Sequence, residues 1–247
     1  MVQQNSMTLS GSPTAQQNTR ALGIAAAVML PIALVMVFLV APRAQIEAGG
    51  DVQRIFYFHF SSAMIGFGSW IITAIAGIRY LRTRDLRHDR VALASAEIGV
   101  LFITMVLLSG MLWARPVWNT FWTWDVKLTL SALQFLMYVA YLMLRSGIDD
   151  PNRRARFAAV YGIVGSLTVP LNFLVSRVLN SIHPATFGPS ANSADRGGFG
   201  LPPEMLLIMA FCLVTFAVLF LFLIRTRITL QERADALSAR RAELLSN

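Results

Sequence analysis

Long apolar blocks with almost no charge are the feature that most restricts the folds open to this chain. Six blocks of about 20 residues follow one another, and that length lets one helix cross the hydrocarbon core of a bilayer. They cover approximately residues 21–41, 56–78, 91–113, 124–144, 157–178 and 204–224. Only 14% of the residues are charged and 55% are hydrophobic, whereas a soluble domain carries about 25% charged residues. We therefore predict an all-α integral membrane protein, a bundle of six transmembrane helices.

The sequence outside these blocks divides the chain into three parts. Residues 1–20 are polar and rich in Gln, Ser and Thr, and we expect a disordered tail. The first apolar block is longer than the apolar core of a signal peptide and lacks a good cleavage site, so it is expected to remain as a helix. Residues 21–225 then form the membrane domain, and residues 226–247 form a charged amphipathic tail on the cytoplasmic side. The single cysteine, Cys212, excludes a disulfide framework and a thiolate metal site.

The distribution of basic residues predicts the orientation. Of the 21 lysines and arginines, 15 lie on the side of the two termini and six on the other side. Because cytoplasmic loops carry the excess of Lys and Arg, both termini are expected in the cytoplasm, in a multi-pass protein of the inner (plasma) membrane. The net charge of +8 is then explained by orientation, without a nucleic-acid partner.

Residues 113–129, WARPVWNTFWTWDVKLT, join the third and fourth blocks on the outer side. A single tryptophan there would be an ordinary interfacial residue. Four of the five tryptophans within twelve residues instead predict an aromatic surface for a flat, apolar ligand: Trp113, Trp118, Trp122 and Trp124. Arg54, Arg115 and Lys127 are candidates for contacts with carboxylates on that ligand. Asp125 is expected to cap the fourth helix and to accept a hydrogen bond from a tryptophan N–H or an arginine.

Two of the three histidines lie on the same side as the tryptophans. His59 begins the second block and His183 follows the fifth, whereas His88 lies in a basic loop and is expected to be solvated. Two neutral imidazoles can supply both axial ligands of a haem iron, but a closed zinc site needs four ligands. The carboxylates on this side keep zinc possible but show no metal-site spacing; they are Glu47, Asp51, Asp125, Asp195 and Glu204. Haem suits the aromatic surface, the cations and the histidine pair together.

Three segments resemble one protein family. WNTFWTWDVKLT resembles WGTxWxWDxRLT, the tryptophan-rich "WWD" signature of haem-handling proteins in cytochrome c biogenesis. RIFYFHF and VLNSIHP resemble the two histidine segments of the haem exporter protein C (CcmC) family, and the resemblance covers the chain after its tail. It implies that His59 and His183 are axial ligands of haem b. It also implies that Trp118, Trp122, Trp124 and Asp125 contact haem and a haem chaperone.

The chain departs from the family pattern at several positions. Asn119 replaces the usual Gly, Phe121 another aromatic residue, and Lys127 the usual Arg. Lys127 keeps the positive charge but loses the bidentate geometry of a guanidinium group. Ser61 and Pro184 are further differences beside the two histidines, and neither removes an expected iron ligand.

The resemblance implies a role in haem delivery. Such a protein presents haem on the outer face and passes it to a periplasmic haem chaperone of the CcmE type. The other expected partners are the CcmA and CcmB subunits of an ABC transporter and a small CcmD-type membrane protein. No nucleophile, general-base pair or nucleotide-binding loop is evident, so we do not expect an enzyme.

Three alternatives remain at the level of sequence. A CcsA-type haem channel or cytochrome c synthase subunit belongs to the same superfamily but is larger and has more histidines. A cytochrome b-type electron-transfer subunit holds its histidines deep inside facing helices. A small-solute permease would need broken helices with polar groups near the midplane, whereas the small and polar residues here are explained by helix packing.

Overall fold

The structure is a computed structural model of the chain, and it describes residues 13–43, 50–183 and 202–246. This part of the chain is helical and contains no strand. A turn of π-helix, Met36–Val40, extends the first helix, and a turn of 3-10 helix, Gly50–Arg54, precedes the second. The α-helices are α1 (Pro13–Val35), α2 (Ile55–Thr83), α3 (Leu86–Trp118), α4 (Val126–Ser146), α5 (Pro151–Ser166), α6 (Thr168–Val178) and α7 (Pro203–Ser246).

Six helical segments in this part of the chain are long and apolar enough to cross a membrane. Helices α5 and α6 count as one of them, because only Leu167 separates the two. The prediction of an all-α membrane protein with six spans is confirmed. Six crossings place both ends of the chain at one end of the bundle, which we call the basic end. The opposite end carries the turn between α3 and α4 and the chain after α6, and we call it the tryptophan end.

Helix α2 lies at the centre of the bundle and packs against α3, α5 and α7. Trp70 of α2 is fully buried and stacks on Tyr138 of α4, with ring centroids 4.0 Å apart and planes 5° apart. Helix α3 approaches α2 closely at Gly99, where a Cβ atom would collide with the side chains of Ser69 and Trp70. A small residue at a crossing point lets two membrane helices pack backbone to backbone.

Ion pairs tie the helices together at the basic end. Arg145 of α4 binds Asp89 of α3 through two hydrogen bonds of 2.6 and 2.7 Å, and both side chains are buried. Arg227 of α7 binds Glu97 of α3 in the same bidentate way, at 2.6 and 2.8 Å. Planar guanidinium–carboxylate pairs fix geometry as well as charge. They therefore set the positions of α4 and α7 against α3.

The helices are longer than the apolar blocks that predicted them. Helix α1 begins at Pro13, so residues 13–20 are helical where the sequence suggested a disordered tail. Once a helix has formed, each added residue costs little, and proline is well suited to its first turn. At the α2–α3 junction only Arg84 and Asp85 are non-helical: Arg84 is left-handed, with φ 59°, and Asp85 caps α3 by accepting from the Arg87 N–H at 2.8 Å.

Helix α7 also continues without a break through the proposed boundary at residues 225 and 226. Its 44 residues span about 66 Å, whereas a hydrocarbon core is about 30 Å thick. The charged tail is therefore a helical extension of the last span that projects from the basic end. Residues 1–12, 44–49 and 184–201, together with Asn247, lie outside the described residues, and they include Glu47, Pro184 and Asp195.

Candidate functional site

The two histidines on the tryptophan end face each other. His59 lies on the second turn of α2, and His183 follows the end of α6, where Leu179 is extended and the chain bends. Their ring centroids are 6.3 Å apart and the ring planes differ by 35°. Both side chains are half-buried. The expectation that His183 projects from a break and not from a regular helix agrees with this geometry.

The distance between the two rings suits one shared metal ion. An imidazole nitrogen binds a metal at about 2 Å, and it lies about 1 Å from its own ring centroid, so two rings that share an ion have centroids about 6 Å apart. The observed 6.3 Å agrees with that value. Haem iron takes two axial nitrogens in this way. The separation of the two rings is therefore the one expected for two imidazoles that share an iron.

Helix α3 holds the ring of His59 in place. The Nδ1 atom of His59 lies 3.1 Å from the hydroxyl of Ser109. The Ser109 hydroxyl in turn donates to the carbonyl oxygen of Met105 at 2.6 Å. The edge of the ring passes over Gly110, where a Cβ atom would lie 3.1 Å from Cε1 of His59. Trp113, one turn further along α3, packs edge-to-face on His59 with centroids 5.9 Å apart.

Asp125 connects the tryptophan-rich turn to the segment that carries His183. One carboxylate oxygen of Asp125 accepts from the Lys127 N–H at 3.1 Å, which caps α4, and from the Ser181 hydroxyl at 2.7 Å. The other oxygen accepts from the Ile182 N–H at 3.1 Å. Ser181 also accepts from the His183 N–H at 3.1 Å. The expected cap is present, but the further partners of Asp125 are Ser181 and Ile182, not a tryptophan or an arginine.

The four tryptophans occupy different places. Trp113 packs on Phe56 as well as on His59, so it belongs to the histidine pair. Trp118 lies on the last turn of α3 and is 38% exposed. Trp122 and Trp124 contact each other edge-to-face at 6.0 Å in the turn before α4, and Trp124 is 80% exposed. Trp113 thus lies at the half-buried histidine pair, whereas Trp122 and Trp124 form a separate, more exposed pair in the turn.

The three basic residues proposed as carboxylate partners differ in their contacts. Arg54 donates to the carbonyl oxygens of Val37 and Phe38 at the end of the first span, and it lies 3.4 Å from Asp51. Arg115 donates to the backbone and side-chain oxygens of Asn119, both at 2.7 Å, and lies over Phe121. Lys127 is buried on the first turn of α4. Of the three basic side chains, that of Lys127 is the most buried.

Buried donors on α3 and around the start of α4 give a second test of whether haem suits the site. The indole N–H of Trp113 and the hydroxyls of Thr123 and Thr129 are buried, and each lacks a hydrogen-bond partner within the described part of the chain. A buried polar group without a partner costs stability unless a ligand or water satisfies it. Hydrogen-bond donors close to a cationic lysine suit the carboxylates of haem propionates. The same residues 13–43, 50–183 and 202–246 contain no group of three or more His, Cys, Asp or Glu able to hold a metal ion, so they offer no four-ligand zinc site.

Ser109, Gly110 and Ser181 belong to the site but were not identified from the sequence. Ser109 precedes Trp113 by four residues, so the two share a face of α3. That spacing could have identified Ser109 once Trp113 was a candidate. Ser181 is two residues before His183, in a position typical of a hydroxyl that bonds nearby backbone. Gly110 had no sequence signal, because its role depends on the approach of α2 to α3.

Comparison with known proteins places the chain in a family. The sequence profile of the family "Heme exporter protein C" matches residues 5–241. A heme exporter protein C from Bradyrhizobium diazoefficiens is 33% identical over 174 residues, which are 70% of this chain and 64% of that relative. The relative from Haemophilus influenzae is 29% identical over 72% of this chain and 70% of its own. The one from Escherichia coli K12 is 28% identical over 66% and 65%. The profile match covers nearly the whole chain, so this chain belongs to the heme exporter protein C family.

Proposed function

We propose that the protein binds haem b between His59 and His183 and presents it at the tryptophan end for delivery in cytochrome c biogenesis. The observation that carries the proposal is the approach of the two imidazoles, whose centroids are 6.3 Å apart. The names of the similar proteins, heme exporter protein C, agree with haem as the cargo.

The residues around the histidines have complementary tasks in this proposal. His59 and His183 each supply one neutral nitrogen to the iron, and Trp113 packs beside them against the macrocycle. Lys127, with the indole N–H of Trp113 and the hydroxyl of Thr129, provides positive charge and donors for the propionates. Trp118, Trp122 and Trp124 extend the aromatic surface outwards. Arg115 and Arg54 support the site indirectly. Arg115 holds the turn after α3 through Asn119, and Arg54 holds the end of the first span through Phe38.

The test is the spectrum of the purified protein. We expect a Soret band and the low-spin bands of iron with two histidine ligands. His59→Ala and His183→Ala should each shift these bands, because one axial ligand is lost. His88→Ala is the matched control, since His88 lies on the first turn of α3 at the basic end and should leave the spectrum unchanged. An unaltered low-spin spectrum in the double variant His59→Ala/His183→Ala would disprove the ligand assignment.

We propose that the protein lies in the inner membrane with its tryptophan end facing the periplasm. Both termini, with the helical extension formed by residues 226–246, then lie in the cytoplasm. The support is the bias of 15 basic residues on one side against six on the other, out of 21. A reporter that is active only in the cytoplasm should give a signal when it is fused after Asn247, and a reporter that is active only in the periplasm should not. A periplasmic signal from that reporter would reverse the orientation and remove the proposed outward delivery.

The recipient in this proposal is a periplasmic haem chaperone of the CcmE type, to which the protein delivers haem without being an enzyme itself. Trp124, at 80% exposure, gives that partner an aromatic surface next to the haem. Subunits of the CcmA, CcmB and CcmD types are the proposed companions in the membrane. Co-purification of a chaperone carrying haem is the discriminating experiment, because a cytochrome b or a permease would not yield it. Recovery of the chaperone without haem in wild type, together with haem retained on this protein, would favour an electron-transfer role.

A further inference from the structure

Ser109 and Gly110 form a seat for the ring of His59 on helix α3. A serine hydroxyl has one proton, and that of Ser109 points to the backbone carbonyl of Met105 at 2.6 Å, with the Val106 carbonyl at 3.2 Å. When that proton stays on the helix carbonyls, the Ser109 oxygen is left to accept from Nδ1 of His59, which lies 3.1 Å away. In this arrangement a neutral His59 carries its own proton on Nδ1. The lone pair is then on Nε2, the nitrogen not engaged by Ser109.

We propose that Ser109 is a positioning residue that fixes the tautomer of His59, so that Nε2 is ready to bind iron before haem arrives. A second interaction of this type usually orients a metal-binding histidine and raises its basicity. Here the acceptor is a hydroxyl whose own proton is committed to the helix backbone. Gly110 completes the seat, because a Cβ atom at this position would lie 3.1 Å from Cε1 of His59 and displace the ring. The inference rests on the proposed haem function but concerns a property of the haem-free protein.

The tautomer can be measured without haem. In protein labelled with ¹⁵N-histidine, the shifts of the ring nitrogens distinguish Nδ1–H from Nε2–H, and His59→Ala identifies the signals of His59. We expect Nδ1–H in the wild type and in Ser109→Thr, which keeps the hydroxyl, and a mixture of tautomers in Ser109→Ala. Thr104→Val is the matched control, because it removes a hydroxyl that bonds the Val100 carbonyl of the same helix at 2.8 Å. A wild-type proton on Nε2, or an unchanged spectrum in Ser109→Ala, overturns the proposal.

Haem titration gives the second measurement. Ser109→Ala should weaken haem binding by about 10- to 100-fold, the usual effect of losing a partner of a metal-binding histidine, while Ser109→Thr and Thr104→Val stay near wild type. Gly110→Ala should also weaken binding but leave the proton on Nδ1, which separates the position of the ring from its tautomer. Equal affinity in Ser109→Ala and wild type refutes the positioning role. Absence of haem binding in the wild type refutes the proposed function. The NMR measurement of the tautomer does not depend on that outcome, because it is made on haem-free protein.

A different feature, at the basic end, carries a second inference. A cleft of about 1050 Å³ lies between the end of α2, the end of α4 and the outer face of α5. Its wall runs along α5 from Arg153 to Val164, a stretch of twelve residues whose ends are about 16 Å apart. Phe157, Val160 and Val164 give this wall an apolar surface and are each about half exposed. The cleft thus opens sideways towards the hydrocarbon.

The mouth of the cleft is positively charged. Arg84, Arg153 and Arg156 line it, and the first turn of α5 adds the positive end of a helix dipole. Within the described part of the chain, the side chains of Arg84 and Arg156 have neither a hydrogen bond nor an ion pair. Asp150 is the opposing charge, and its carboxylate already accepts from the Arg153 N–H at 2.6 Å.

We propose that this cleft binds an anionic phospholipid, with the phosphate at the arginines and an acyl chain along α5. The occupant is a lipid because the charge lies at one end of a long apolar wall that is open to the bilayer. Haem is the rival occupant, since it also combines an apolar body with acidic groups.

Native mass spectrometry of protein from nanodiscs that mix phosphatidylglycerol with phosphatidylcholine tests the site. We expect the wild type to retain phosphatidylglycerol. In the triple variant Arg84→Gln/Arg153→Gln/Arg156→Gln, the affinity for this lipid should fall about fivefold for each arginine removed. The control triple variant Arg233→Gln/Arg240→Gln/Arg241→Gln removes equal charge from the α7 extension and should retain the lipid. Equal loss in both variants, or displacement of the lipid by one equivalent of haem in the wild type, overturns the assignment.

Discussion

Asp125→Asn should undock the segment that carries His183. The carboxylate accepts three hydrogen bonds, from the Lys127 N–H, the Ser181 hydroxyl and the Ile182 N–H. An amide has one accepting oxygen, so in either orientation its NH₂ group faces one of the two backbone N–H donors. At least one bond is therefore lost and the others lose the help of the negative charge. Hydrogen bonds to charged groups contribute about 1.5–3 kcal/mol and neutral ones about 1 kcal/mol.

Because the site is partly exposed to solvent, we expect a net cost of about 2 kcal/mol, which is about a thirtyfold fall in the equilibrium constant for docking. The apparent haem affinity falls by the same factor once the docked state becomes the minor one. Hydrogen exchange at the amides of Ile182 and His183, together with haem titration, measures both effects.

Asp85→Asn is the matched control for this substitution. Asp85 caps α3 at the basic end in the way that Asp125 caps α4, with its carboxylate 2.8 Å from the Arg87 N–H. It should leave haem affinity and the exchange of Ile182 and His183 unchanged. Wild-type exchange rates and haem affinity in Asp125→Asn would refute the role of Asp125 as the link between the two segments.

Three further predictions concern stability and the exposed aromatic surface. Arg54→Gln should lower the melting temperature of the detergent-solubilised protein while leaving the haem spectrum intact, because the guanidinium group caps the carbonyls at the end of the first span; a lost Soret band would instead implicate Arg54 in haem contact. Arg145→Gln should destabilise the fold by about 3–5 kcal/mol, because it leaves the buried carboxylate of Asp89 without its partner. Adding Asp89→Asn should restore part of the loss in a denaturation assay, and equal stability of the single and double variants would contradict this. Trp124→Ala should keep haem but weaken co-purification of the chaperone, since the ring is 80% exposed, and the reverse pattern would assign this ring to haem binding.

The sequence predicted the framework of the fold because a bilayer imposes a length on each apolar block. Six blocks gave six spans, and Asp125 was correctly expected to cap the fourth span. The ends of the helices were predicted less accurately, since charged stretches such as residues 79–83 and 86–90 can remain helical beyond the hydrocarbon. Charge alone marks the membrane boundary, not the end of a helix.

Much of the site depended on contacts between distant parts of the chain. His59 meets Ser109 across 50 residues, and Ser181 meets Asp125 across 56. The rotation of each helix decides such pairs, and the apolar blocks encode it weakly because faces that meet lipid and faces that meet protein are both apolar. For the same reason the sequence could not show that Arg54 is engaged by the carbonyls at the end of the first span.

By itself the sequence determined the membrane spans and the clustering of histidines and tryptophans at one end, and it predicted haem as the ligand. The tertiary structure alone decided the 6.3 Å approach of the two imidazoles, the contact of the Ser109 hydroxyl with the His59 ring and that of the Ser181 hydroxyl with the His183 backbone N–H. Membrane thickness fixes which residues share a depth in the bilayer. Only the close packing of α2, α3 and α4 fixes which of those residues touch.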